Sequence, residues 1–343
     1  MHWFIWGARL IATALLCAPL WGHDDDSDSQ LYSVVARNIV EHDAWFSLSY
    51  LPDVYPQFFE HLPFGIWHFA IVAKWFGMAA LRPFSVVMSM LTLWLTGRIA
   101  RHVAGPRAEL VAISCLGVTE SFFITGSRPR LDVPLLVWAT ASVAAYIVIR
   151  SRWTAAFVSG GAAAIAVLVK GPFGIFFLAA LLTAEQFFDR RLRAIAPRAA
   201  CLSLAVIPLG GFFLYDWLNE KLWWNGYVQN QLLASLTGAR SDGHMEWWYP
   251  LQTLANRFWP GMALLPFASI RAWRQGGISR TIVTASVICT GFLIIPSRKL
   301  WHHVLPLFPL LAVTAGIGAA KFETFWAWLE RMARARGWGS PRE

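Results

Sequence analysis

Charge is what this sequence has least of. Only 14% of its 343 residues are Asp, Glu, Lys or Arg, against 57% hydrophobic, where a soluble chain carries about a quarter charged residues. The shortage excludes a soluble fold: nearly every helix would need hiding from water, with too little polar sequence left to coat it. Cysteine is also sparse. Cys17, Cys115, Cys201 and Cys289 stand singly inside apolar runs with no close spacing, which excludes a disulfide frame or a cysteine metal cluster and leaves them as small hydrophobes. A soluble basic face is missing too. The net charge of +9 comes from arginines at the ends of apolar runs, so no nucleic-acid partner is implied. No internal repeat relates the two halves.

What the chain does have is apolar runs of bilayer length. They fall near 3–21, 62–80, 83–103, 109–127, 133–149, 154–169, 172–188, 199–215, 251–270, 281–296 and 303–320. Met1 to Trp21 reads as an uncleaved first helix, because Trp21-Gly22 is a poor small-residue cleavage site. The dense basic clusters are Arg98/Arg101/Arg107, Arg150/Arg152, Arg190/Arg191/Arg193/Arg198, Arg271/Arg274/Arg280 and Arg331/Arg334/Arg336. The positive-inside rule puts them all in the cytoplasm if one early run does not cross. That run is 62–80, which is short, opens with Leu62-Pro63 and contains His68 and Lys74; it reads as re-entrant or interfacial. The prediction is an all-α, polytopic membrane helix bundle, a single domain over 1–343 with about ten transmembrane helices and both termini cytoplasmic. Of the 29 Lys+Arg, 18 then lie inside, while 14 of the 20 Asp+Glu lie outside. Outside are the first loop, 22–82, with its juxtamembrane helices, then 128–132, 170–171, 216–250 and 297–302.

The outer segments carry the unusual chemistry. His23, Asp24, Asp25 and Asp26 read as a solvated acidic loop or an adventitious cation site. Asp28 is followed by Tyr32 and Arg37 at spacings read as one helical face. Asp132 opens a helix in Arg128-Pro129-Arg130-Leu131-Asp132, where helix capping is as good a reading as catalysis. Lys170, in Val169-Lys170-Gly171-Pro172, is either a functional intramembrane cation or a snorkelling helix end. Arg298, Lys299, His302 and His303 crowd one helix mouth on the side where cations are unexpected, and a phosphate is their natural partner. Exposed carboxylates facing cations at membrane level suit a lipid-phosphate donor: a base takes a proton from an acceptor hydroxyl, and cations stabilise the departing phosphate.

In order and topology these residues resemble the polytopic GT-C glycosyltransferases over about residues 15–320. The resemblance is nearest to the aminoarabinose–lipid A transferases and their protein O-mannosyltransferase relatives. Asp28 with Tyr32 and Arg37 matches the start of that family's first outer loop. Glu60-His61-Leu62-Pro63, Arg82-Pro83, Asp132 and Lys170-Gly171 match later outer-loop positions. Trp247-Trp248-Tyr249, Phe258-Trp259-Pro260-Gly261 and Leu265-Pro266 match the family's aromatic stretch, and Lys299 with Leu305-Pro306 its last motif. The resemblance implies a sugar donor linked to a polyprenyl phosphate and a lipid, glycan or protein acceptor among membrane lipids. It implies an extracytoplasmic site in the inner membrane. It makes Asp28 the catalytic base of an inverting single displacement and gives Asp132 a supporting role. Lys170 and Lys299 would face the donor phosphate, and Tyr32, Arg37, Glu60, His61, Arg298 and His303 belong to the same binding site.

Three positions depart from the pattern. The Glu after the catalytic Asp is Ser29, the last motif's Tyr is His303, and the fourth outer loop has Tyr227-Val228-Gln229-Asn230-Gln231 where members often carry an Arg, with Arg240 nearby. No soluble C-terminal domain is expected, so acceptor choice is not inherited. No cofactor is expected; a divalent metal is the open case and is not favoured. A flippase or transporter of lipid-linked anions and a non-catalytic relative of the fold are the alternatives.

Overall fold

The computed structural model describes residues 1–21, 25–51, 53–188, 195–219, 221–239, 246–297 and 299–335. Among them the chain is helical, with an isolated β-bridge between Leu51 and Tyr55 in the first loop. The helices are α1 His2–Cys17, α2 Ser27–His42, α3 Pro63–Phe76, α4 Leu81–Gly117, α5 Glu120–Gly126, α6 Asp132–Val148, α7 Arg152–Lys170, α8 Phe176–Phe188, α9 Ile195–Leu218, α10 Ala234–Thr237, α11 Tyr249–Arg257, α12 Trp259–Met262, α13 Leu265–Gln275, α14 Gly277–Phe292, α15 Phe308–Ala319 and α16 Glu323–Ala335. Five stretches are long and apolar enough to cross a membrane: His2–Trp21, Met78–Gly117, Arg152–Gly174, Ile195–Leu218 and Trp301–Ala319. Shorter apolar helices cover Asp132–Val148, Phe176–Phe188 and Gly277–Phe292. Unbroken helices of bilayer length are therefore fewer than the ten predicted spans, because turns and prolines merge or cut several of them.

The clearest case is α4. Its helical run is interrupted at Ala104 (φ −140°) and Gly105 (φ 81°), immediately before Pro106. Glycine supplies the positive φ and proline cannot continue the ladder, so the chain reverses there. The two arms fold back on each other. Arg101 meets Glu109 near the turn, and Ser89 donates to the Gly126 carbonyl at 3.0 Å further along. The predicted spans 83–103 and 109–127 are the two arms of this hairpin. A second hairpin joins α6 and α7: Ser159 donates to the Ser142 carbonyl at 2.7 Å, and the far ends meet as Asp132 and Lys170.

These hairpins give the bundle two chemically different ends. At one, Glu109 is fully buried between Arg9 and Arg101, and Arg107 pairs with Glu323 and Glu330. There too Tyr146 and Arg198 share Glu185, and Arg271 donates to the Lys321 carbonyl. At the other end lie the carboxylates and cations of the outer segments. The run 62–80 stays at that second end. It leaves from His61, and Arg82 beyond it donates to the Pro19 carbonyl at 2.6 Å. Its single helix, α3, packs on α2 and does not carry the chain to the arginine-rich end.

Candidate functional site

Five segments distant in sequence converge at this end. The entry to α2 is fixed by Asp26, whose carboxylate accepts from the Ser29 backbone N–H at 2.9 Å and from its hydroxyl at 2.8 Å, an N-cap worth about 1 kcal/mol. Ser29, which replaces an acid in the resembled family, is fully buried in this cap. One turn on, Asp28 and Tyr32 project from the same side of α2. The approach to α3 brings Glu60 and His61, the end of α7 brings Lys170, the π-helix Trp224–Leu233 brings Tyr227 and Gln231, and the turn Trp301–Leu307 brings His302 and His303. Together they line a cavity of about 190 Å³.

Behind one wall runs a ladder of alternating charges. Arg130, its side chain 4% exposed, reaches Asp26 at 2.7 Å, Asp28 at 2.7 Å and Asp132 at 3.3 Å, one contact from each guanidinium nitrogen. Asp132, 2% exposed, accepts from Lys170 Nζ at 2.5 Å on its other oxygen. Arg128 adds a second contact to Asp26 at 3.2 Å. Buried charges persist only when paired, and here three carboxylates meet three cations. Burial disfavours the charged guanidinium, but Asp132, Asp28 and Asp26 outweigh it and push its pKa above the ordinary arginine range. Burial likewise works against the Asp26 carboxylate, yet Arg130 and the Ser29 hydrogen bonds hold its pKa below the usual value. Asp28, 39% exposed, is the open end of the ladder, and Lys170, 12% exposed, is the other.

Tyr32 shares a hydrogen bond of 2.9 Å with His61 Nε2. Its burial, with the nearby Asp28 charge, raises the phenol's pKa well above its ordinary value, so it stays protonated. Lys170 is held in place from behind. Gly171 has φ +62°, and a Cβ there would lie 2.2 Å from the Tyr227 hydroxyl. Only glycine turns the chain at that point and lets Tyr227 reach the cavity.

Of the residues picked from sequence, Asp28, Tyr32, Glu60, His61, Lys170 and His303 line the cavity. Asp132 stands behind it. Its helix is preceded by Leu131 without a side-chain cap, so its carboxylate serves the ion pairs and not helix capping. Arg37 does not join. Nine residues at about 100° each carry it half a turn away from Asp28, and it is exposed on the outer face of α2. Lys299 is buried with its ammonium donating to the Pro296 carbonyl at 2.7 Å, and it is not among the residues lining the cavity. Arg298 lies outside the described residues. Sequence reasoning missed Arg130, Asp26 and Tyr227 as parts of this site; His302, grouped with His303 at one helix mouth, lines the cavity with it. Two arginines beside one proline, on the side where cations are unexpected, were the available signal for Arg130.

This helical arrangement is the GT-C fold, in a multi-pass membrane protein. ArnT from Cupriavidus metallidurans bound to undecaprenyl phosphate superposes with a TM-score of 0.78 at 18% identity, covering 98% of this chain and 63% of that one. The archaeal oligosaccharyltransferase AglB from Archaeoglobus fulgidus, in complex with an inhibitory peptide and a dolichol-phosphate, gives 0.62 at 12% identity, covering 99% and 52%. In sequence the chain is similar to the undecaprenyl phosphate-alpha-4-amino-4-deoxy-L-arabinose arabinosyl transferase of Aeromonas hydrophila, 22% identical over 320 residues, which are 88% of this chain and 56% of that one. It is similar also to the corresponding transferase 1 of Pseudomonas fluorescens, 22% identical over 337 residues, 94% of this chain and 58% of the relative. Residues 60–213 match the family model described as dolichyl-phosphate-mannose-protein mannosyltransferase. The chain spans little more than half the length of these curated relatives.

Proposed function

We propose that this chain is a glycosyltransferase that moves a sugar from a polyprenyl-phosphate donor to a hydroxyl acceptor at the extracytoplasmic face of the inner membrane. One observation carries the reading: Asp28 and Lys170 line the same cavity from opposite ends of one charge ladder. Asp28 is the base. It takes the proton of the acceptor hydroxyl as that oxygen attacks the anomeric carbon, and the bond to the phosphate breaks on the opposite side, inverting the linkage. Lys170 stabilises the departing polyprenyl phosphate with the ammonium protons that Asp132 leaves available, and the protonated Tyr32 holds His61 beside it. Catalysis proceeds without a divalent metal. Arg130, Arg128 and Lys170 already balance the charge of Asp26, Asp28 and Asp132, so the ladder presents no surplus of negative charge for a divalent cation to neutralise.

Purified protein given labelled undecaprenyl-phosphate sugars and extracted envelope acceptors is expected to turn over, with or without a chelator. Asp28→Asn is expected to remove transfer while leaving undecaprenyl-phosphate binding intact. Retained transfer by that variant would refute Asp28 as the base.

A further inference from the structure

A second cavity, of about 400 Å³, opens on the far side of the 300–303 turn. The turn divides the two: His302 and His303 face the cavity described above, and Trp301 walls the second one. Trp301 is also the link between them. The Arg130 guanidinium, which holds Asp28, lies 5.5 Å from its ring centre, and the Arg257 guanidinium lies 5.0 Å from it. The floor is the polar side of α11, with Gln252 and Asn256 one turn apart and Arg257 next to Asn256, and Trp248 stands half-exposed at the rim.

The lining indicates what fits. Among the described residues it holds one cation, Arg257, and one anion, Glu246, so neither charge sign dominates there. Side-chain amides supply donors and acceptors together, and indole rings supply flat apolar faces. A purely apolar ligand would leave the amides unpaired, and a strongly anionic or cationic ligand meets a like charge. Balanced charge, paired amides and aromatic faces match a neutral polyhydroxylated ring, whose C–H face lies on an indole while its hydroxyls meet the amides.

We infer that this cavity is a binding site for a neutral saccharide, seated on Trp248 and the α11 amides. The saccharide site does not rest on the transferase reading above.

Full-length protein in lipid nanodiscs is titrated with defined neutral oligosaccharides (maltotriose, mannobiose and chitobiose), and binding is read by saturation-transfer NMR and competition. At least one is expected to bind. Trp248→Ala and, separately, Asn256→Ala and Gln252→Ala are expected to weaken it about tenfold each, the scale of one lost ring contact or hydrogen bond. Undecaprenyl-phosphate binding and the melting temperature should not change. If no saccharide in the panel binds, if binding ignores all three substitutions, or if a serine-containing peptide occupies the cavity in their place, the inference is overturned. Saccharide binding that follows the substitutions in a protein showing no sugar transfer would uphold the site and reject the transferase reading.

Discussion

Arg130 is the residue on which the site's geometry turns. Its guanidinium touches three carboxylates from two chain segments while being almost wholly buried. Replacing it with Met leaves Asp132 buried with Lys170 alone and frees Asp28 from its holder. Removing one partner of a buried pair costs about 3–5 kcal/mol. Arg130→Met is therefore expected to lower unfolding stability by that order in detergent. Adding Asp132→Asn should restore part of it, since the two residues share one network. A single variant that melts with the native protein would show that the ladder holds nothing. Asp26 sets a second expectation. A carboxyl whose pKa is lowered by folding adds stability that is whole above the unfolded value of about 3.9 and is lost as pH falls through the lower folded value. The stability gap between the native protein and Asp26→Asn should accordingly narrow below about pH 4, as measured by thermal melting across that range. A gap that stays constant contradicts the lowered pKa of Asp26.

At the scale of elements, the turn between α7 and α8 decides where Lys170 points. Gly171 has positive φ and no room for a side chain beside Tyr227. Gly171→Ala meets both costs, backbone strain and the Tyr227 hydroxyl, and should destabilise by more than about 1 kcal/mol. Tyr227→Phe removes the clashing oxygen, so the double variant should recover the steric part and keep the strain. Equal melting temperatures for the single and double variants would mean that the two residues do not press on each other. This turn was readable from Lys170-Gly171-Pro172, because glycine and proline announce a break by local chemistry alone. The gap between the predicted spans 83–103 and 109–127 holds Gly105-Pro106, a break of the same kind, whereas the placing of run 62–80 came from the arginine clusters and not from a local break. The partners of Arg130 were not. Arg128 and Arg130 meet Asp26 across 102 and 104 residues of chain, and no local pattern encodes a contact that long. Arg37 shows the opposite failure: a motif spacing was read as one helical face when nine residues put it on the other. Lys299 was placed by its charge and its motif, but it is buried with its ammonium donating to the Pro296 carbonyl, and it does not line the cavity.

For the whole molecule, the segregation of charge is a statement about sidedness. Arginines cluster where the hairpins of α4 and of α6–α7 close, and the carboxylate ladder sits where they open. If the positive-inside rule governs this chain, the arginine-rich end faces the cytoplasm and Asp28 faces outward. The native cysteines give little background for a test: Cys115, Cys201 and Cys289 are buried and Cys17 is partly so. Asp43 lies exposed in the first loop, and Arg152 and Arg274 are exposed at the arginine-rich end. In intact cells a membrane-impermeant maleimide should label Asp43→Cys. It should reach Arg152→Cys and Arg274→Cys only after the inner membrane is opened. Arginine clusters hold loops in the cytoplasm during insertion, so one replaced arginine in each should not flip the protein. Labelling of Arg274→Cys from outside would invert the molecule. It would place Asp28 in the cytoplasm, and a transferase drawing its donor from the extracytoplasmic face would then have no route to its base.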